Sequence, residues 1–412
     1  MDVSQGGDVG GFEAPNIEVV GAIFSLYKQF AGRCLPPTPK WLDRRRLRTD
    51  NRGVGGSSPV PKTRSGGPTR RRKGCKVYDP ITIAGNGGWG TAVALVLAGK
   101  GLDVRVWGIE DDYVAGTAKS RRNPRYLPGV KIPKGILLTS DWGEASRGAK
   151  LAISAVPTQF CRKTWGDLAK VDETDGAPVL SLSKGVEVGT LERPTQILRQ
   201  ALGQRKIGVL VGPSHAEEVA RGLPAAVVIA SKDVRFAKAA QATLSTDRFR
   251  AYINDDVVGT EIASALKNVI ALAAGISDGL GFGDNAKAAL LTRGMVEMAR
   301  LGVALGGQRQ TFSGLAGIGD LITTCVSSHG RNRAVGERIG RGETLSQILD
   351  SMTQVAEGVP TTKAFHKLAR QHDIETPITN QVYSVLFRRK KPLKAVTELM
   401  LRAPKSEVEE YW

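Results

Sequence analysis

Cysteine and histidine are scarce in this 412-residue chain, with four of each. Cys34, Cys75, Cys161 and Cys325 show no CxxC spacing, which argues against a disulfide framework or a zinc site and reads as reduced thiols of an intracellular protein. His215, His329, His366 and His372 do not cluster as metal ligands either. Long apolar runs are also missing. The best candidate, Ala263–Ile276, is interrupted by Lys267 and Asn268, so a transmembrane segment is not expected.

What is present is a hydrophobic fraction of 41%, ample for a core, and a formal net charge of +18. The length suggests two domains with an extension. Much of the charge is local. Between Lys40 and Lys76 thirteen Lys and Arg face only Asp43 and Asp50, a net of +11 from 13 − 2. Residues 1–78 are also rich in Gly, Pro and Ser and are expected to be disordered, apart from a short helix over Ile17–Phe30. Two readings of this segment stay open. Its Arg-rich second half suits a plastid transit peptide, whereas Asp2, Asp8, Glu13 and Glu18 suit a cytoplasmic tail. A nucleic-acid role for Arg44–Arg48 and Arg70–Lys73 is disfavoured, because no aromatics are interleaved with them.

Beyond the extension the pattern changes. Short apolar runs at Ile81–Ala84, Asp103–Trp107, Leu151–Val156, Pro178–Leu182, Val209–Val211 and Ala225–Ala230 alternate with helical periods. That alternation predicts an α/β domain, an N-terminal Rossmann-type doubly wound parallel sheet over residues 79–254. After Asn254 the period is helical at Val257–Ile276, Ala286–Leu305, Leu345–Met352, Thr361–Gln371, Ile378–Phe387 and Leu393–Leu401. An all-α C-terminal domain over 255–403 follows, with a tail at 404–412.

The segment Gly85-Asn86-Gly87-Gly88-Trp89-Gly90 fits GxGxxG, directly after a strand and before a helix. Gly85 permits the turn, Gly87 lets the backbone approach a pyrophosphate, and Gly90 lets helix and strand pack. The helix start then offers N–H groups to the anion. At the end of the second strand stand Ile109, Glu110, Asp111 and Asp112. A 2′-phosphate wants a cation there and a free ribose diol an acid, so NADH is expected over NADPH. The missing charge-assisted bond is worth roughly 1.5–3 kcal/mol.

Three charged residues sit in apolar company. Lys267 interrupts a helical stretch and is costly there unless it is paired, lines a cavity or snorkels to the surface. Lys184 follows the Val179–Leu182 run, at the ligand-facing edge of a parallel sheet, and alternatively is a solvated loop lysine. Asp320 lies among glycines and aliphatics, where a helix N-cap is the simpler reading.

Eight motifs in order carry a family resemblance. They are Gly85–Ala92, Asn123–Gly129, Ser183-Lys184-Gly185, Gly212–Glu218, Ala265–Asn268, Gly314–Cys325, Arg331-Asn332 and Val355–Gly358. Together, from Ile81 to Arg402, the chain resembles the NAD(P)-dependent glycerol-3-phosphate dehydrogenases of the bacterial and plastid branch. The resemblance implies interconversion of dihydroxyacetone phosphate and sn-glycerol 3-phosphate, supplying glycerolipid synthesis, by a homodimer. It implies Lys267 as the acid–base residue, with Lys184 and Asp320 beside it. It places the cofactor on Gly85, Gly87, Gly88, Trp89, Gly90, Lys184, Ala216, Arg331, Val355 and Glu357. It places the substrate on Lys184, Gly212, Ser214, Lys267, Asp320, Arg331 and Asn332. The chain departs from the family pattern at Gly330, where many members have Ser, and at Asn86, usually Ala or Ser. A β-hydroxyacid or ketopantoate-type dehydrogenase shares the expected fold and is the rival reading.

Overall fold

The computed structural model describes residues 77–352, 354–404 and 406–407. The helix expected over Ile17–Phe30 and the reading of the extension as disordered fall outside these residues.

The described residues form ten strands: β1 (Ile81–Ala84), β2 (Val104–Trp107), β3 (Arg122–Asn123), β4 (Leu127–Lys131), β5 (Ile136–Thr139), β6 (Leu151–Ser154), β7 (Val179–Ser181), β8 (Ile207–Val211), β9 (Ala225–Ala230) and β10 (Phe249–Asn254). Eight of them form one sheet in the order β10-β9-β8-β7-β6-β1-β2-β5, and β3 pairs only with β4. The run from β5 to β8 has the doubly wound order, in which the strand order reverses between β1 and β6 while the strands stay parallel. Every residue of β1, β6 and β8 is buried. Helices cover both faces, which is why these strands read as continuous apolar runs and not as alternating ones.

The doubly wound parallel sheet expected from the sequence is present, with one antiparallel pairing added within it. β8 and β9 pair antiparallel, Val209 opposite Ala230, and β10 runs parallel to β9. The reversal is local. Gly212, at φ +136°, follows β8, and a Cβ there would lie 3.0 Å from the Val227 Cα, so the two strands lie close at this end.

After β10 the chain is helical. The Val257–Gly279 helix is the axis of this part, capped by Asp256, which accepts from Gly259 N at 2.9 Å. It is long and apolar enough to cross a membrane, but 83% of its most apolar window is buried inside the protein, as suits a core helix. The helices Gly283–Ala304, Asp320–Val326, Arg331–Gly340, Gly358–Gln371 and Pro377–Phe387 pack around it. Glu297 ties two of them, accepting from Ile378 N and Thr379 N at 2.7 and 2.9 Å at the start of the Pro377–Phe387 helix.

One crossing is closer than side chains allow. A Cβ on Gly275 would lie 1.9 Å from the Arg333 carbonyl oxygen, and one on Gly336 would lie 2.1 Å from that of Leu272. Glycine spacing on both helices lets the Arg331–Gly340 helix lie directly on the central one. Gly336→Val should therefore destabilise the protein by roughly 1–3 kcal/mol or more in denaturant unfolding. Gly116→Ala, where a Cβ meets nothing within 4 Å, should be neutral or stabilising by about 0.5–1 kcal/mol. Equal stability of the Gly336 variant and the wild type would show that the crossing tolerates a side chain.

Candidate active site

The glycine turn sits where β1 and β6 part, the place at which doubly wound sheets receive ligands. Its glycines are required by contact. A Cβ on Gly85 would lie 2.8 Å from the Ala155 oxygen, on Gly88 2.5 Å from the Tyr126 oxygen, and on Gly90 2.1 Å from the Gly85 oxygen. Gly87 is the exception: a Cβ there meets nothing within 4 Å, so its outer face is open. The Gly88–Ala98 helix starts with no side-chain cap and no acid in its first turn. An open face before an uncapped helix start fits a pyrophosphate, and the residues present suit a dinucleotide. The Trp89 indole turns to the core, 6.3 Å from Phe249. Ala216 packs beside Gly88, 3.7 Å from where a Cβ would stand.

Asn123 holds this turn from outside and was not singled out from sequence except within its motif. Its Nδ2 donates to the Asn86 oxygen at 2.7 Å and to Thr91 Oγ1 at 2.9 Å. The acids expected to face a ribose are not all free. Glu110 is bound by Arg125, whose Nη1 lies 2.7 and 2.8 Å from its two oxygens. Ile109 is 71% exposed.

Lys184, Lys267 and Asp320, 136 and 53 residues apart along the chain, converge on one carboxylate. Lys184 Nζ lies 3.0 Å from Asp320 Oδ2 and Lys267 Nζ lies 2.5 Å from Oδ1. Asp320 does begin a helix, but its side chain goes to the lysines and caps nothing. Lys267 Nζ also donates to Thr324 Oγ1 at 2.6 Å, and that hydroxyl donates to the Asp320 backbone oxygen at 2.6 Å. Two of the three N–H bonds of the ammonium are thus engaged by Asp320 and Thr324. Thr324 was missed in the sequence; its place one turn after Asp320 is the signal that was there to find.

Electrostatics follow from burial. Lys267 is buried, which lowers its pKa to about 7; Asp320 opposes the shift and the Lys184 ammonium adds to it. Burial works against ionisation of Asp320, yet the two ammonium groups together hold its pKa below the usual carboxylate range. His215 Nε2 is buried without a partner, and burial followed by the Lys267 charge lowers the imidazole pKa.

The surrounding positions divide. Gly212 offers its carbonyl to Lys184 Nζ at 3.2 Å and to Ser214 Oγ at 3.0 Å. Arg331 opens the Arg331–Gly340 helix, after Gly330, with no side-chain cap, and its Nη1 reaches the Val355 oxygen at 3.2 Å. Asn332 is buried and its Oδ1 accepts from Gly358 N at 2.9 Å, so half of its amide serves the fold. Glu357 reaches across to the α/β part, accepting from Thr158 N at 3.1 Å. Its other oxygen and Thr158 Oγ1 are both buried without partners.

A doubly wound sheet whose glycine turn is paired with an appended helical domain and a buried Lys-Asp-Lys cluster defines the class of two-part dinucleotide-binding proteins. The comparisons narrow this. Residues 80–237 match the family model for the NAD-dependent glycerol-3-phosphate dehydrogenase N-terminus, and residues 256–397 match that for its C-terminus. A glycerol-3-phosphate dehydrogenase [NAD(P)+] of Chlorobium phaeobacteroides is 45% identical over 331 residues, 80% of this chain and 99% of its own length. One from Salinibacter ruber is 48% identical over 330 residues, 79% of this chain and 96% of its own. The crystal structure of glycerol-3-phosphate dehydrogenase from Coxiella burnetii superposes with a TM-score of 0.76 at 39% identity, covering 79% of this chain and 99% of that one. The chain belongs to the NAD-dependent glycerol-3-phosphate dehydrogenase family.

Glu357 gives a pH test. Burial raises its pKa to about 7, against the Thr158 N–H and the Arg331 charge. A raised folded-state pKa contributes stability that is complete below the unfolded value and lost as pH rises through about 7. Glu357→Gln keeps the shape without the titration. The melting temperature of the variant relative to wild type should rise by several degrees between pH 5 and pH 8, in arithmetic set by roughly 1.4 kcal/mol per pKa unit. A constant difference across that range would show that Glu357 does not titrate there.

Proposed function

We propose that the protein reduces dihydroxyacetone phosphate to sn-glycerol 3-phosphate with NADH, reversibly, and that Lys267 moves the proton. The observation that carries this reading is the shared carboxylate: Asp320 holds Lys267 and Lys184 on separate oxygens. Membership of the glycerol-3-phosphate dehydrogenase family makes the activity that of an oxidoreductase.

NADH, when bound along the Gly85–Gly90 turn, supplies the hydride. The rest is done by the chain. Lys267 Nζ donates to the substrate's carbonyl oxygen and gives up its proton as that oxygen becomes an alkoxide. A pKa of about 7 suits both directions, because neither form is scarce at neutral pH. In reverse, the neutral amine takes the proton from the alcohol. Lys184 donates to the same oxygen or its neighbour and keeps a second positive charge beside the developing anion. Asp320 orients both amines, and Thr324 fixes the Lys267 head group from its other side. With both lysines charged the cluster carries +1, from 2 − 1, and favours a phosphorylated substrate. Arg331 and the uncapped N–H groups at the start of its helix are proposed for the phosphate, with Asn332 at their side.

The preference for NADH rests on Glu110 and Ile109. An exposed isoleucine offers a 2′-phosphate no charge, and Glu110 both repels it and holds the nearby Arg125. The Glu110–Arg125 pairing adds to the sequence reading, which rests on Ile109 and the acids that follow it.

Three experiments test the proposal. Lys267→Ala should lower kcat by more than about tenfold, roughly 1.4 kcal/mol, while NADH binding is retained. In the wild type, kcat/KM for reduction should fall as pH rises through about 7 and that for oxidation should rise. A smaller loss of kcat, or a loss of NADH binding in its place, would remove Lys267 from the chemistry. For the cofactor, KM should be lower for NADH than for NADPH, and Glu110→Gln should narrow the gap by releasing Arg125. An equal or lower KM for NADPH in the wild type would refute the assignment.

A further inference from the structure

A second cavity, of about 590 Å³, shares no lining residue with the candidate active site. It is an open cavity walled by the Gly358–Gln371 and Pro377–Phe387 helices, with Val188 also in its lining. Its charged lining is of one sign. Lys363, Lys367 and Arg370 stand at i, i+4 and i+7 on the first helix, and Arg388 follows the second. Among the described residues, no carboxylate lines it.

None of these four cations pairs with a carboxylate among the described residues. The Lys363 ammonium lies 4.6 Å from the centre of the Phe387 ring, and the Arg388 guanidinium 6.0 Å from that of Tyr383. Neighbouring charges are already committed. Glu187, next to Val188, is bound by Arg162, and Glu398 is bound by Lys390 at 2.6 Å. His366 stacks on Tyr383 at 3.8 Å with its Nδ1 2.8 Å from Asn380 Oδ1, which makes this part of the wall rigid.

Like charges at i,i+4 on one helix destabilise it by about 0.2–0.5 kcal/mol per pair. Here Lys363 and Lys367 repel along the helix, and Arg388 adds to them from across the cavity. Such an arrangement is relieved by an anion that meets several cations at once. The volume lies within the range of small-molecule sites, roughly 300–1,000 Å³. Four cations exceed what one phosphate monoester neutralises. Arginine also offers the planar fork that phosphate oxygens accept bidentately.

We propose that this cavity is an accessory binding site for a polyphosphorylated small molecule. The proposal is independent of the dehydrogenase reading, because it concerns other residues and is read by binding.

The test is calorimetric titration of the full chain with inorganic tripolyphosphate, and separately with ATP, at one fixed ionic strength. Saturating NADH and glycerol 3-phosphate keep the candidate active site filled. The expected result is one site per chain whose affinity falls at least about tenfold in Lys367→Gln/Arg370→Gln and is retained in Lys367→Arg/Arg370→Lys. Tighter binding of ATP than of tripolyphosphate would assign the site to nucleotides, and the opposite order to polyphosphate itself. Equal affinity of wild type and Gln variant would overturn the proposal, as would no binding. Binding of a short single-stranded oligonucleotide that needs Lys367 and Arg370, with tripolyphosphate failing, would overturn it in favour of a nucleic-acid surface. Unchanged melting temperatures would confirm that the variants are folded.

Discussion

The Asp320 carboxylate is the point on which the site depends. It is buried, and so is Lys267 beside it. Neither charge is stable alone in that setting, because removing an ion from water costs several kcal/mol and is offset only by close, well-placed partners. With Lys267 on one oxygen and Lys184 on the other, both lone-pair faces of the carboxylate are used. The same closeness tunes the amine. Burial pulls the Lys267 pKa down, Asp320 resists, and the balance falls at about 7. A lysine deep in a helix is thereby left able to give or take a proton at neutral pH.

The fold exists to bring these three residues to one place. Lys184 comes from the edge of the sheet just after β7, Lys267 from the middle of the central helix, and Asp320 from the first turn of a short helix packed on it. Glycine contacts keep the parts close. The Gly275 and Gly336 crossing seats the Arg331 helix on the helix that carries Lys267. The Glu357 contact with Thr158 fastens the helical part to the start of the Thr158–Leu168 helix that follows β6. Positions that look merely small or merely buried are therefore part of how the charged cluster is assembled.

Much of this was legible in the sequence. β1, β2, β6 and β9 are apolar runs bounded by turn residues, and the central helix was expected over Val257–Ile276 against Val257–Gly279 observed. Lys267 was conspicuous because it interrupts an apolar helical stretch, and the structure buries it. Less legible were features created by pairing. β5 is an edge strand with only one buried residue, so its pattern is faint. The antiparallel pairing of β9 with β8 is a matter of strand direction, which no periodicity reports. The Glu110–Arg125 pair joins residues 15 apart whose charges, read separately, gave only the acidic half of the story. Asp320 read equally well as a helix cap; only its contact with two distant lysines decides otherwise.

The most direct test of the shared carboxylate is a double-mutant cycle on kcat with Lys267→Ala, Asp320→Asn and the double variant. Residues that act as one unit lose their effect together. If Asp320 works through Lys267, the double variant should be about as slow as Lys267→Ala alone. Losses that multiply, with the double variant slower by the product of the single effects, would show that the two residues act separately and would contradict the account.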